Sequence, residues 1–308
     1  MKTISVVIPI YNELESLPEL IQQLAAPLAV YEKREIIFVD DGSTDGSTEY
    51  LTEISQKNDD IVLIRFHRNY GKSAALAEGF KHAEGEYVVT MDADLQDDPA
   101  EIANLQTKID EGFDLVSGWK KERHDPFTKT FPSKVWNFMT RVVTGVKIHD
   151  FNCGLKMYRK AVVKSLEIYG GRHRYIPAMA GQKKFRVGEI VVNHRPRIHG
   201  VTKYGGARFF HGIFDLITIM FLSRFTQHPL HLFGSIGMLG LAIGFLAEIY
   251  VLYLKFVVGH AFQQHMALLM LGVMLIVIGI QFISLGLLGE MIAQSTQGRE
   301  DRVKKIIK

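Results

Sequence analysis

The chain has 308 residues, 47% of them hydrophobic, a formal net charge of +3 and one cysteine. That length holds one large domain or two smaller ones, the near-balanced charge gives no argument for a nucleic-acid partner, and a single Cys153 excludes both an internal disulfide framework and a cysteine-based zinc cluster. The mean hydropathy of +0.07 is high for a purely soluble chain, and the apolar excess sits in the last quarter.

Met1-Lys-Thr-Ile-Ser-Val-Val-Ile-Pro-Ile lacks a long apolar region followed by a small-residue cleavage site, so it reads as a first strand. Ile4 to Ile10 is the continuous β-branched run expected of a strand buried on both faces. Ser16-Leu-Pro-Glu then opens a helix. Glu35 to Val39 is a second strand, ending in Asp40 and Asp41, with a polar turn over Ser43 to Ser47 before the next helix. Ile61 to Phe66 is a third strand and Asn69-Tyr-Gly-Lys-Ser starts a helix to His82. Tyr87 to Met91 is the fourth strand, Pro99 to Glu111 a helix and Phe113 to Trp119 a further strand. Strands alternating with helices of this length imply βαβ units and a mostly parallel sheet. No Gly-x-Gly-x-x-Gly and no Gly-x-x-x-x-Gly-Lys-Ser/Thr occurs, so a phosphate-bearing ligand needs a metal and side chains instead of a glycine cradle.

Lys120 to Lys134, with Pro126 and Pro132, reads as a basic loop. Val135 to Thr144 reads as a helix, Lys160 to Leu166 as a short helix and Phe185 to His194 as an alternating strand. Arg195 to Gly205 is a second basic loop. The pattern then changes. Phe209 to Phe225 fits an amphipathic helix at a membrane surface. Leu232 to Val258 and Ala267 to Ile292 are each long enough to span about 30 Å of hydrocarbon, and only Gly259 to His265 joins them. That connection has no Lys or Arg, whereas Arg299, Arg302, Lys304, Lys305 and Lys308 crowd the tail. The charge asymmetry puts both hairpin ends in the cytoplasm. Glu248, near mid-span, calls for a partner within the hairpin or from another subunit, which favours a homo-oligomer, a dimer or tetramer.

The strand from Tyr87 delivers Asp92 and Asp94 to its carboxyl end, with Gln96, Asp97 and Asp98 behind. In a parallel sheet that end faces the ligand crevice. Two carboxylates one residue apart, followed by an amide oxygen, suit a Mg²⁺ or Mn²⁺ that keeps positions open for phosphate oxygens. A bare Asp-x-Asp is otherwise a solvated acidic turn. Asp97 and Asp98 read as caps of the Pro99 helix.

Here the Asp-x-Asp stands beside Pro9-Ile-Tyr-Asn-Glu13, Val39-Asp-Asp-Gly-Ser-Thr-Asp-Gly46 and Gly71-Lys-Ser-Ala-Ala-Leu76. With these motifs the chain resembles family-2 glycosyltransferases of the GT-A fold. Within them it is similar to the polyprenyl-phosphate glycosyltransferases related to dolichyl-phosphate mannose synthase, in their membrane-anchored bacterial subgroup. The resemblance is strongest over Val6 to Asp98 and looser up to Gly205. It implies a GT-A nucleotide-sugar-binding domain over 1–205, amphipathic juxtamembrane helices over 206–228, a transmembrane hairpin over 229–295 and a basic cytoplasmic tail over 296–308.

The implied activity is metal-dependent, inverting transfer of a sugar from a nucleotide sugar, UDP-linked rather than GDP-linked, to a polyprenyl phosphate at the cytoplasmic membrane face. The resemblance matches Pro9, Tyr11, Glu13 and Asp41 to residues holding base and ribose, and Lys72 to a position near the nucleotide. Asp92 is matched to both ribose and metal, and Asp94 and Gln96 to metal ligands. Asp150 either orients the sugar or makes a structural turn. Arg123, Lys134 and Arg141 are candidates for the acceptor phosphate, with Arg197 and Lys203 toward the donor. Between Lys120 and Lys134 the sequence departs from the mannose-synthase pattern, and surface charge is the alternative there. A processive polysaccharide synthase would carry Gln-x-x-Arg-Trp, and Trp119 and Trp136 stand in other contexts. A non-catalytic tethered nucleotide-sugar-binding protein would be expected to lack the Asp-x-Asp or the basic loop, and both are present. The identity of the sugar is left open.

Overall fold

The computed structural model describes residues 2–121, 127–168, 170–195 and 229–296, and the chain divides into two compact units, Met1–Leu216 and Ile217–Lys308. In the first unit the described elements are β1 (Thr3–Ile10), α1 (Leu17–Leu28), β2 (Lys33–Asp40), α2 (Ser47–Lys57), β3 (Ile61–Arg65), α3 (Lys72–His82), β4 (Tyr87–Thr90) and, after a 3₁₀ turn at Pro99–Glu101, α4 (Ile102–Asp110). Next come β5 (Leu115–Trp119), α5 (Phe127–Thr144), β6 (Lys156–Arg159), α6 (Lys160–Ser165), a 3₁₀ turn at Arg172–Tyr175, α7 (Ile176–Gln182) and β7 (Val187–Val191).

Among these residues the strands form one sheet in the order β3-β2-β1-β4-β6-β5-β7. All neighbours are parallel except β6, which runs antiparallel between β4 and β5. The alternation of β1 explains its largely apolar run. Ile4, Val6, Ile8 and Ile10 pack under α1 and α4, while Val7 faces the other layer with Ala75, Leu76 and Phe80 of α3. Both faces are covered by helices, so the buried part of the strand is apolar apart from Ser5, whose hydroxyl is satisfied by Glu35 and Gly85 N.

The chain leaves β1 toward β2 on one side and returns to β4 on the other, which opens a crevice at the carboxyl ends of β1 and β4. The antiparallel β6 adds to that crevice. Thr90, the last residue of β4, pairs with Lys156, the first of β6, so the loop entering β6 lands on the site.

One expectation changes, and three short elements are added to the reading. The stretch 120–134 is not loop throughout, because α5 already begins at Phe127. Pro132 falls in its second turn and removes one backbone bond, which an 18-residue helix tolerates. β6, the turn at Arg172 and α7 carry no strong periodicity over their four to seven residues, and the sequence reading passed over them. Arg123, Arg197, Lys203, the amphipathic helix over 206–228 and the tail beyond 296 lie outside the described residues. Lys134 is in α5, with its side chain likewise outside.

In the second unit α8 (Pro229–Tyr253) and α9 (Met266–Thr296) form an antiparallel hairpin. With their flanking turns they give apolar stretches of 30 and 32 residues, above the roughly 20 residues that cross a bilayer. Glycines set how closely the helices pack. A Cβ on Gly237 would stand 2.6 Å from the Gly279 carbonyl oxygen, one on Gly279 would stand 2.7 Å from the Gly237 oxygen, and Gly244 repeats the arrangement against Gly272 at 2.8 Å. The opposite faces are apolar as well. Phe256 is 77% exposed and Met291 68%, which is unlike a helix buried in a water-soluble core. Glu248 packs against Gly272 inside the hairpin, and its Oε1 is buried without a hydrogen-bond partner among the described residues.

Candidate active site

The crevice is first built by backbone. Leaving β1, Asn12 takes a positive φ of 55° and its side chain accepts from Thr44 N at 2.8 Å, while Asn12 N donates to Ser43 Oγ at 3.0 Å. These bonds lace the β1 exit to the β2 exit. Tyr11, 36% exposed, and the half-buried Pro9 and Glu13 stand along this rim. The two aspartates ending β2 divide their work. Asp40, not Asp41, closes the turn toward α2, accepting from Ser43 N at 2.9 Å and from the Thr48 hydroxyl. Asp41 instead reaches to the start of α3, accepting from Tyr70 N at 2.6 Å and Gly71 N at 2.9 Å. Burial raises the Asp41 carboxyl, these two N–H groups pull it back, Asp40 adds to the rise, and the net direction is upward.

That clamp fixes Lys72, the next residue. Its Nζ pairs with Asp92 Oδ1. Beyond β4 burial alternates strictly: Asp92, Asp94 and Gln96 are partly exposed, while Ala93, Leu95 and Asp97 are buried. The three predicted ligands therefore share one face. Leu95 at φ 60° bends the segment, and Gln96 N donates to Asp94 Oδ1 at 3.3 Å. Burial alone would raise the Asp92 carboxyl, but Lys72, with Lys120 and Lys156 behind it, outweighs this and holds it at about 2.

Asp97 departs from expectation. It does not cap the Pro99 turn, whose cap is Asp98, accepting from Ala100 N at 3.0 Å. Asp97 points inward because of the same alternation, is 1% exposed, and pairs with Lys120 Nζ at 3.0 Å. Its Oδ2 has no hydrogen-bond partner among the described residues. Gly154, in the loop entering β6, lies against both carboxylates. A Cβ there would stand 2.7 Å from Asp92 Oδ2 and 2.8 Å from Asp97 Oδ2. Gly154→Ala should consequently lower activity by roughly 10²-fold with little change in thermal stability. Initial rates of wild type and variant at matched expression test this, and an undiminished rate would show that the approach is not needed.

These residues fit a hard divalent cation. Asp92, Asp94 and the Gln96 amide offer oxygens on one face, an orphaned carboxylate oxygen lies beside them, and the glycine leaves the space open. Among the described residues no three His, Cys, Asp or Glu side chains converge on one point, so further positions would fall to ligand oxygens or water. Asp150, 1% exposed, accepts from Asn152 N at 3.0 Å and shapes the loop that carries Gly154. Arg141, in the last turn of α5, has its Nε buried without a partner among the described residues. Cys153 is a buried packing residue, its thiol pushed up to about 12 by burial.

Sequence reading missed Lys120 as part of the site, and with it Lys156 and His173. Lys156 is 3% exposed and donates to the Cys153 carbonyl. The signal was present: a lysine in the otherwise apolar strand run of Leu155 to Tyr158. His173 lines a small cavity of mixed character with Lys72, Asp92, Asn152, Lys156 and Tyr158. Its Nδ1 and Ser73 Oγ share a hydrogen bond of 2.9 Å, pinning the Arg172 turn to α3.

Burial first, then the Lys72 and Arg174 cations, lower His173 from 6.5 to about 3. The unfolded chain binds a proton below 6.5 that the folded chain refuses until about 3, so stability falls as pH drops through this window, by at most about 1.4 kcal/mol per unit. Thermal midpoints of the full chain in detergent, taken between about pH 7.5 and about pH 4.5, should fall less steeply for His173→Gln than for wild type. Parallel curves would rule this out.

A family model described as Glycosyl transferase family 2 matches residues 5–167. The chain is 40% identical over 307 residues to a dodecaprenyl-phosphate galacturonate synthase from Rhizobium johnstonii, covering 97% of this chain and 89% of that one. It is 37% identical over 296 residues to an undecaprenyl-phosphate 4-deoxy-4-formamido-L-arabinose transferase from Salmonella paratyphi A, covering 96% and 89%. Among solved structures, glucosyl-3-phosphoglycerate synthase from Mycobacterium tuberculosis, crystallised with Mn²⁺ and UDP-glucose, superposes with a TM-score of 0.57 at 20% identity, covering 71% of this chain and 79% of that one. That likeness establishes the GT-A type of fold.

Proposed function

The chain belongs to glycosyl transferase family 2, and on that footing we propose that it transfers a sugar from a nucleotide sugar to a polyprenyl phosphate at the membrane surface. The observation that carries this reading is the placement of Asp92, Asp94 and Gln96 on one partly exposed face of a crevice whose far rim is Tyr11 to Glu13, in a chain that ends in an apolar hairpin. The names of the two long-range relatives, both acting on polyprenyl phosphates, support the acceptor.

In this reading Pro9, Tyr11, Glu13 and Asp41 line the base and ribose, and Lys72 turns from Asp92 toward the donor diphosphate. Asp92, Asp94 and Gln96 would hold a Mg²⁺ or Mn²⁺, which when bound supplies charge neutralisation for the leaving diphosphate. An oxygen of the lipid phosphate forms the bond to the anomeric carbon as the bond to the nucleoside diphosphate breaks, with inversion. A phosphate monoester with a second pKa of about 6 is already anionic at neutral pH, so no side chain has to remove a proton. Cations are needed instead, to hold two anionic groups together. Arg141 is the described candidate on the acceptor side, with Lys134 earlier in α5 and Arg123, Arg197 and Lys203 outside the described residues. The hairpin anchors the enzyme with both its ends in the cytoplasm, and copies associate as a dimer or tetramer.

Membranes carrying the chain, incubated with undecaprenyl phosphate and a panel of radiolabelled nucleotide sugars, should move one label into the lipid phase in a Mg²⁺- or Mn²⁺-dependent way. Label appearing only in water-soluble polymer would overturn the lipid acceptor and favour a polysaccharide synthase.

A further inference from the structure

Lys72 is held in place from both sides. Before it, Tyr70 N and Gly71 N donate to the Asp41 carboxylate at 2.6 and 2.9 Å, with Gly71 at φ 91°. After it, Ser73 Oγ accepts from His173 N at 3.1 Å and shares a hydrogen bond of 2.9 Å with His173 Nδ1. The backbone of Lys72, the first residue of α3, is fixed by these bonds, and its ammonium moves by turning its own flexible stem. That stem places Nζ on Asp92 Oδ1, while Asp92 Oδ2 stands against Gly154. The oxygen away from the Gly154 wall is thus the one that Lys72 takes.

The charges nearby point the same way. Asp92 lies in the field of Lys72, Lys120 and Lys156, Asp97 pairs with Lys120 at 3.0 Å, and Asp94 shares the face of Asp92. Among the described residues these carboxylates and ammonium groups balance one another. A free divalent ion therefore meets little net attraction and leaves an excess of positive charge behind it. A nucleotide diphosphate, negative on each phosphate, removes that excess and gives Lys72 a second anion to turn to.

We propose that the Lys72–Asp92 ion pair bars the aspartate face to a free divalent cation, so that Mg²⁺ or Mn²⁺ enters together with the donor diphosphate, onto which Lys72 swings. This order of assembly rests on the assignment of Asp92, Asp94 and Gln96 to that ion. By linkage, the ion and the diphosphate strengthen each other's binding by the same factor, and Lys72 sets part of that factor.

The test is calorimetric titration of the full chain in detergent with MnCl₂, in the absence of nucleotide. Lys72→Met, which keeps a flexible stem and removes the ammonium, should bind Mn²⁺ at least about tenfold more tightly than wild type. Lys72→Arg keeps the charge and should bind as weakly as wild type. Arg68→Met removes a cation that lies over the Tyr70 ring at 5.1 Å and should leave the affinity within about twofold of wild type. Saturating Mn²⁺ should strengthen UDP binding by a larger factor in wild type than in Lys72→Met. Thermal midpoints establish that the variants remain folded. Unchanged or weaker Mn²⁺ binding in Lys72→Met overturns the barrier alone, when Mn²⁺ still strengthens UDP binding in wild type and does so less in Asp94→Ala. An equal gain in Arg68→Met would trace the effect to net charge and overturn the barrier as well. If Mn²⁺ strengthens UDP binding equally in wild type and Asp94→Ala, or in neither, the metal assignment fails and the barrier with it.

Discussion

Asp94→Ala is expected to lower sugar transfer by roughly 10²–10³-fold, the loss typical of removing one group that stabilises developing charge, while the chain stays folded. The structural side of this expectation rests on exposure. Asp94 is only partly buried and takes a long 3.3 Å bond from Gln96 N, so water can reach the groups around its carboxylate when it is removed. Asp92 would be a poorer probe. It is tied to Lys72, and removing it would leave three lysines facing each other across the site. Initial rates at saturating donor and acceptor, with thermal midpoints beside them, separate chemistry from folding. Raising Mn²⁺ should recover part of the Asp94→Ala rate if the residue holds the cation. Full activity in this variant, at any metal concentration, would sink the proposed mechanism.

Where the expectations held and where they failed follows the range of the forces involved. β1 to β4 and the helices between them were legible because each is a local pattern: an apolar run, a polar turn, a glycine turn. The hairpin was legible because 25 and 31 residues of nearly continuous apolar character have few other uses. Asp97 was misread for a physical reason. Acidic residues ahead of a proline-led helix are usually caps, and Asp98 is one. Whether the neighbouring Asp97 faces out or in depends on the alternation of burial from Asp92 to Asp97, which persists through a positive φ at Leu95 that no local pattern announces. Lys156 was missed because its meaning depends on β6 running antiparallel beside β4, a pairing across 66 positions of chain. The partners of Asp92 thus come from α3, the β5 exit and β6, and none of them is a near neighbour in sequence.

The buried pair made by Asp97 supplies the second large effect. Lys120→Met should destabilise the first unit by about 3–5 kcal/mol, since it removes the counter-charge of a carboxylate held in the interior. Asp97 is 1% exposed and the Lys120 side chain 15%, so water can replace little of what is lost. Burial by itself would favour the neutral lysine, yet Asp97, with Cys153 and Asp92, holds the Lys120 ammonium well above the ordinary lysine range. For a unit of about 200 residues such a loss corresponds to a fall of about 10 °C in the thermal midpoint. Methionine keeps the length and flexibility of the stem, so lost packing contributes little. Asp97→Asn in the same chain removes the stranded charge and should restore most of the midpoint, giving a coupling between the two positions of at least about 1 kcal/mol. A single variant within about 0.5 kcal/mol of wild type would mean that Asp97 is neutral or solvated in the folded chain. A double variant no better than the single one would locate the loss in packing around Lys120 and not in the unpaired carboxylate.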